Sequence, residues 1–464
     1  MNPLRASEDD LAKALHRLEP KSPYAEAMAQ STDGHGLRHD RRATLPEPAP
    51  QLDGVVLRAW AGSEWKEVAV SGFGARSIQD ATESLLRRLT GETSAQGPPG
   101  ESPTGSLQRE TAEKRPIKEF TLERRIELAR TLFGWATSIE GIGNAIVSIG
   151  HSVDERLFLS TSGARRYQRV VRARGSVAPV AIEGGKVEYD FLNHGEVGGA
   201  ELFDQFTEAS VLETARESKA LLTAPSAPTG RVTVVLDPST AGTFAHESFG
   251  HGTEADQLLR DRSYLKPLLG QHVGPESLTL VDDGSYSGAW GTIYFDDEGH
   301  PSQRTVLIDH GRFVEVLHDR ESAAAMGRRP TGNTRRADFL SRPFVRMTNT
   351  FVEPGDWTKE EMIREAKEGV LLQDCTSGIE DPLGGNMQIK VKKARRIHHG
   401  EAGELLSSLA LSGKVLDFLK TIRGVSRAAD FEMSPGYCGK GHTDLLPAGT
   451  GGSYLLSEAV VGPA

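Results

Sequence analysis

Residues 231–252 read RVTVVLDPSTAGTFAHESFGHG, and their order decides how the C-terminal half is built. Residues 231–236 form a dense β-branched run fit for a buried strand. Asp237-Pro238-Ser239-Thr240 turns the chain and caps a helix. That helix runs into His246-Glu247-Ser248-Phe249-Gly250-His251. Two imidazoles with a carboxylate beside the first suit a zinc ion, which favours nitrogen and sulfur ligands and keeps one position open in catalytic sites. Histidines four apart lie about 40° from each other around a helix, whereas five apart they lie about 140° from each other. These two therefore converge only if the helix is distorted or ends between them. A π-type turn has the needed i to i+5 geometry, and Gly250 and Gly252 supply backbone freedom for it. Glu247 would stand where a general base belongs. The plain alternatives are a chance match in a chain with 14 histidines and a capping or ion-pairing role for Glu247.

Working outward, 464 residues exceed one compact core, so two or three domains are expected. A hydrophobic fraction of 37%, with 25% charged residues and 50 glycines, describes a loop-rich soluble protein with a core. The formal charge of −10 argues against nucleic acid as a partner. No stretch approaches the roughly eighteen apolar residues of a membrane span. The amino terminus, MNPLRASEDDLAK, lacks an apolar signal core, so a cytoplasmic location is expected. The 2 cysteines, Cys375 and Cys438, do not make a disulfide framework, which leaves thiol or metal chemistry.

Residues 1–52 read as polar and proline-punctuated, with a short helix near 7–17. Strands over 55–61 and 65–70 and a helix over 78–89 complete a first domain, 1–95. Residues 96–117 belong to a Pro/Gly/Ser-rich stretch that reads as a linker or loop. A middle domain, 118–226, opens with a helix over 122–135. Strands over 146–151, 155–160, 167–176 and 177–182 follow, the last an edge strand because of Pro179, and then a helical stretch over 200–221. The C-terminal domain, 227–464, is strand-rich between glycine turns. The expected class is α+β and multi-domain, with mixed or antiparallel sheets, helices, and a C-terminal β-rich domain carrying the strand–helix HExxxH motif.

Cys438 lies in Pro435-Gly436-Tyr437-Cys438-Gly439-Lys440, where Lys440 would favour the thiolate. Taken alone, a lone cysteine reads as a small buried hydrophobe, and that is the reading given to Cys375. His442 is a further ligand candidate. His398-His399, in a basic segment, read as a solvated face or turn. Asp282-Asp283 and Asp296-Asp297 read as hairpin turns. Arg335 and Arg336 could hold a substrate carboxylate in bidentate fashion or form surface ion pairs.

The histidine motif, with Glu254 and Asp256, heads an ordered series. It continues through Val281-Asp282-Asp283-Gly284, Asp296-Asp297-Glu298-Gly299 and Pro330-Thr331-Gly332-Asn333 with Arg335-Arg336. Arg346-Met347-Thr348-Asn349-Thr350, Thr376-Ser377-Gly378 and Cys438-Gly439-Lys440 complete it. Over residues 230–464 this series resembles the TldD/PmbA family of zinc peptidases, on its TldD-like, HExxxH-containing branch. Residues 153–174 resemble the family's second domain. The resemblance implies one zinc per chain held by His246, His251 and Cys438, with Glu247 as general base. Arg335, Arg336, Asn349 and His442 become candidate substrate contacts. It also implies pairing with a TldE/PmbA-like paralogue, or self-association as a homodimer, and unfolded or extended peptides as substrates, bound by strand addition. After Lys440 the run Gly441-His442-Thr443-Asp444 departs from the family pattern, which bears on substrate preference.

The expected function is a zinc-dependent peptidase acting through metal-activated water. Two rivals stand beside it. One is a pathway-specific amidase or peptidase that matures a natural product or modified peptide. The other is a non-catalytic regulatory or scaffold subunit, in keeping with the family's old name, modulator of DNA gyrase.

Overall fold

The structure, a computed structural model, describes residues 2–48, 51–89, 97–440 and 443–464, and excludes the side chains of Thr443 and Asp444. A nine-stranded sheet organises the N-terminal half. Its main order runs Trp65–Ser71, Gln51–Trp60, Ala25–His39, Ile142–Ser160, Arg165–Glu183 and Ser106–Glu110. Strands from residues 1–95 and 118–226 thus lie side by side in one sheet, and the expected boundary between them does not separate two sheets. Ala25–His39 pairs Gln51–Trp60 on one side and Ile142–Ser160 on the other. Its sequence, AEAMAQSTDGHGLRH, carries little β-propensity, because small residues suit a strand packed on both faces and leave no alternation to read.

Two further readings change. The stretch 96–117 contains a strand, Ser106–Glu110, running parallel to Arg165–Glu183. It is almost wholly exposed, so it needs no apolar residues and looks like linker in composition. Pro179 sits within a 19-residue strand, Arg165–Glu183. Its far edge is paired up to Val177 by Leu192–Val197 and from Val180 by Lys186–Tyr189. A residue without an N–H costs nothing in that gap. Helices Glu8–Leu18 and Ala75–Arg88 bury one face in a shared core, and Leu122–Thr137 and Glu208–Leu221 cover the rest of the sheet.

In the C-terminal half, Gly230–Leu236 pairs Gly369–Asp381 in parallel and Leu455–Pro463 antiparallel. Through Asn386–His398 and Leu409–Lys414 the seven-stranded sheet closes on itself. A six-stranded sheet includes Leu280–Asp283, Asn349–Val352, Thr443–Gly452 and Glu432–Lys440. One large apolar core joins these strands to Phe244, Ala245 and Phe249 of the histidine segment. Asp282 is in a strand, not a turn. It is buried and accepts hydrogen bonds from Asn333 Nδ2 (2.7 Å), Thr348 N (2.8 Å) and Thr350 Oγ1 (3.0 Å). Asp296 does sit in a turn closed by Gly299.

The halves are tied by buried charges. Arg58 pairs Glu26 at 2.9 Å and Glu298 at 3.3 Å, while Arg320 N donates to Glu298 at 2.9 Å. Burial alone would raise the Glu298 pKa, but the Arg320 and Arg58 guanidiniums bring it down to about 2. Among the described residues no helix is long and apolar enough to cross a membrane.

Candidate metal centre

Asp237 caps helix Pro238–Thr243, its carboxylate accepting from Thr240 N at 2.8 Å and, across the sheet, from Asp374 N at 2.9 Å. The helix packs directly on Thr443–Gly452, since a Cβ at Gly242 would stand 1.9 Å from Gly451 N. The chain then widens into a π-helical turn, Phe244–Gly250, in which His251 N–H donates to the His246 carbonyl. That i to i+5 bond cancels the angular mismatch of five-residue spacing. Gly250 has ordinary helical angles, φ −56° and ψ −52°, so conformational freedom is not its purpose. A Cβ there would meet Met347 Sδ at 2.1 Å. Close packing demands the glycine.

The ligand-type atoms of His246, His251 and Cys438 lie within 4.8 Å of one another. Cys438 Sγ is 3.2 Å from His251 Nε2, and the imidazole rings are 5.3 Å apart at 81°. Burial opposes charge on the Cys438 thiol, yet the two imidazoles beside it bring its pKa down to about 4. Burial likewise opposes charge on His251, but Cys438 and Glu254 hold its pKa well above the usual imidazole range. The cluster thus collects a thiolate where positive charge gathers, the arrangement a cation replaces. Three further atoms nearby, His246 Nδ1 and both Glu380 carboxylate oxygens, are buried without hydrogen-bond partners. Burial, then Glu247 and Glu254 against the pull of His251, pushes Glu380 up to about 8.

Glu247 Oε2 is 3.8 Å from His251 Nε2, and its side chain keeps 25% exposure, so it faces the open cleft. Room for it comes from Gly378, where a Cβ would meet Glu247 Cγ at 2.5 Å. Glu254 Oε2 stands 3.6 Å from His251 Nδ1 and is held by Lys440 at 3.0 Å. A carboxylate behind a ligating histidine fixes its tautomer and orientation. Lys440 therefore serves Glu254 and Asp256 (2.7 Å), not the thiolate that sequence position suggested. Cys375, read as a buried hydrophobe, is half-buried and lines the cleft of about 270 Å³ with Thr376 and Glu247. Burial pushes its thiol up to about 12.

The expected substrate contacts fare differently. Arg336 donates to Glu67 (3.0 Å) and the Ser341 carbonyl (2.6 Å); it ties the two halves together and is fully buried. Asn349 is fully buried, accepting from Gly291 N and donating to the Asp283 carbonyl and Thr292 Oγ1, so it braces loops instead. Arg335 is buried and donates to the Met347 and Pro447 carbonyls, both at 2.8 Å, and it lines a neighbouring cavity. His442 lies outside the described residues. Glu254 and Gly378 are visible in the sequence only as members of the ordered motif series; no spacing rule assigns either a role.

The family model for the PmbA/TldA metallopeptidase C-terminal domain matches residues 229–461, and that for the central domain matches residues 115–224. A metalloprotease of Methanocaldococcus jannaschii is 37% identical over 322 residues, 69% of this chain and 70% of its own length. A zinc metalloprotease TldD homolog of Saccharolobus solfataricus is 31% identical over 227 residues, 49% of this chain and 50% of its own. Among solved structures, TldE from Thermococcus kodakarensis shares the fold at a TM-score of 0.74 and 17% identity, covering 98% of this chain and 100% of that one. With two domain models matched in order and a relative of this closeness, the chain belongs to the TldD/PmbA family of metallopeptidases.

Proposed function

We propose that this metallopeptidase hydrolyses peptide bonds of unfolded or extended polypeptides with one zinc per chain, held by His246, His251 and Cys438. The observation that carries the reading is the convergence of those three donors within 4.8 Å, with Glu247 Oε2 open to the cleft 3.8 Å from His251 Nε2. Zinc in such a site acts as a Lewis acid toward the scissile carbonyl and lowers the pKa of water. Glu247 takes the proton from the attacking water and passes it to the leaving nitrogen. Glu254 keeps His251 in its ligating orientation.

An extended substrate fits the local backbone. The pairing of Gly369–Asp381 with Gly230–Leu236 stops at Leu372. Beyond it, among the described residues, only Asn386–His398 pairs that strand, so past Asp374 and Cys375, whose N–H groups go to Asp237 and Ser239, its other edge carries no strand. Strand addition there would align a peptide along the cleft. Pairing with a TldE/PmbA-like paralogue, or with a second copy, belongs to the same reading. A cytoplasmic setting does too, and it suits two unbridged cysteines.

The test is zinc analysis and hydrolysis of an unfolded polypeptide by the purified full chain, alone and with its Glu247→Gln variant. Near-stoichiometric zinc in both, with cleavage only by the parent, is the expected result. Full cleavage by the zinc-loaded variant would overturn the mechanism.

A further inference from the structure

Tyr437, next to Cys438, lines the metal cleft and also a larger cavity of about 550 Å³. This cavity lies between the N-terminal sheet and the hairpin of Glu432–Lys440 and Thr443–Gly452, and four arginines line it: Arg156, Arg172, Arg174 and Arg335. Arg156 is neutralised by Asp154 at 2.9 Å and by Asp297. The other three make no ion pair among the described residues.

Arg172 Nε and Nη2 donate to the carbonyls of Trp290 (2.9 Å) and Thr292 (2.8 Å), and Arg335 spends only Nη1 on carbonyls. Asp154 and Asp297 attract Arg172 and Arg335 from a distance, but both carboxylates pair directly with Arg156. Arg174 is half-buried, its guanidinium 5.6 Å from the Tyr437 ring centroid. Burial above all, and then the neighbouring Arg172 and Arg346, lower the Arg335 pKa to about 9. The remaining acids of the lining are engaged elsewhere. Asp338 caps its own loop at Leu340 N (2.9 Å) and Ser341 N (2.8 Å), and Glu47 meets Ser148 at 3.5 Å. Buried charges without a directly paired counter-charge are costly. The arrangement becomes favourable when a ligand brings the anion.

We propose that this cavity binds a carboxylate of the peptide substrate through Arg335, Arg172 and Arg174 while the scissile bond lies in the cleft beside Glu247. The inference rests on the peptidase reading and adds a substrate class to it. Guanidinium groups match a planar carboxylate in bidentate fashion, and Trp290, Ile293, Leu446 and Pro447 give the wall apolar surface for adjoining side chains. The carboxylate has two sources, the peptide's C-terminus or an Asp/Glu side chain.

Calorimetric binding to the zinc-loaded, full-length Glu247→Gln protein separates them with three peptides of one sequence. The first has a free C-terminus and no acidic side chain, the second is its C-terminal amide, and the third is the amide with one internal Asp. The expected result is at least about tenfold tighter binding of the first or third than of the second, which is about 1.4 kcal/mol. Arg174→Gln should shrink that ratio several-fold with zinc content unchanged, and Arg335→Gln should shrink it further if it folds. Equal affinity for all three peptides, or a ratio untouched in Arg174→Gln, would overturn the inference. If the parent protein cleaves nothing while the ratio persists, the peptidase reading falls and the carboxylate site stands.

Discussion

His246, His251 and Cys438 offer donor atoms within 4.8 Å of one another, and so do Glu368, His398 and His399. The second trio sits where a hairpin turn meets the end of helix Lys359–Ala366, with Glu368 2.9 Å from His398 and 3.5 Å from His399. Its side chains are 61%, 62% and 82% exposed. In the first trio His246 is 3% and Cys438 5% exposed, and a buried Glu254 backs His251. Donor proximity is therefore easy to reach at a polar turn, where two histidines and a glutamate simply pair. What separates the trios is the supporting shell: burial, a thiol between two imidazoles, and a held carboxylate behind one histidine.

Breaking the supported cluster should cost most. Cys438→Ser should reduce zinc from about one per chain to near zero and take hydrolysis to background, as read by metal analysis. Unchanged occupancy would remove the third ligand. Glu247→Gln should lower kcat/KM by about 10²–10⁴-fold with zinc retained. Removing only the support sharpens the comparison: Glu254→Gln should weaken zinc affinity by about 10–100-fold in competition with a chelator. An unaltered affinity would show that burial alone distinguishes the trios. The smallest effect belongs to the exposed trio. His398→Ala with His399→Ala should leave zinc content and hydrolysis within about twofold of the parent and change stability by about 0.5 kcal/mol or less. A lost zinc equivalent would mean that the exposed group is a site after all.

Some of this was legible in the residues. The five-residue spacing of His246 and His251 demands a π-type distortion, and the His251–His246 bond supplies it. Asp237 reads as a cap and is one. The reason for Gly250 was misread, because a local rule sees backbone freedom and not Met347 packed against the site. Arg336 looked available for substrate because Glu67, its partner, lies 269 positions away. Ala25–His39 gives little strand signal because its first six residues are buried on both faces of the sheet and carry no period to detect.

By itself, then, the order of amino acids determined the short-range features: the cap, the turn that widens the helix, and the placing of a carboxylate beside two imidazoles. Those follow from bond geometry and hydrogen bonding within a few residues. Tertiary structure alone decided that Cys438 reaches His251 across 187 positions, that Glu254 stands behind it, and that three arginines face one cavity. Such meetings depend on how separate sheets register and pack, and no local spacing encodes that.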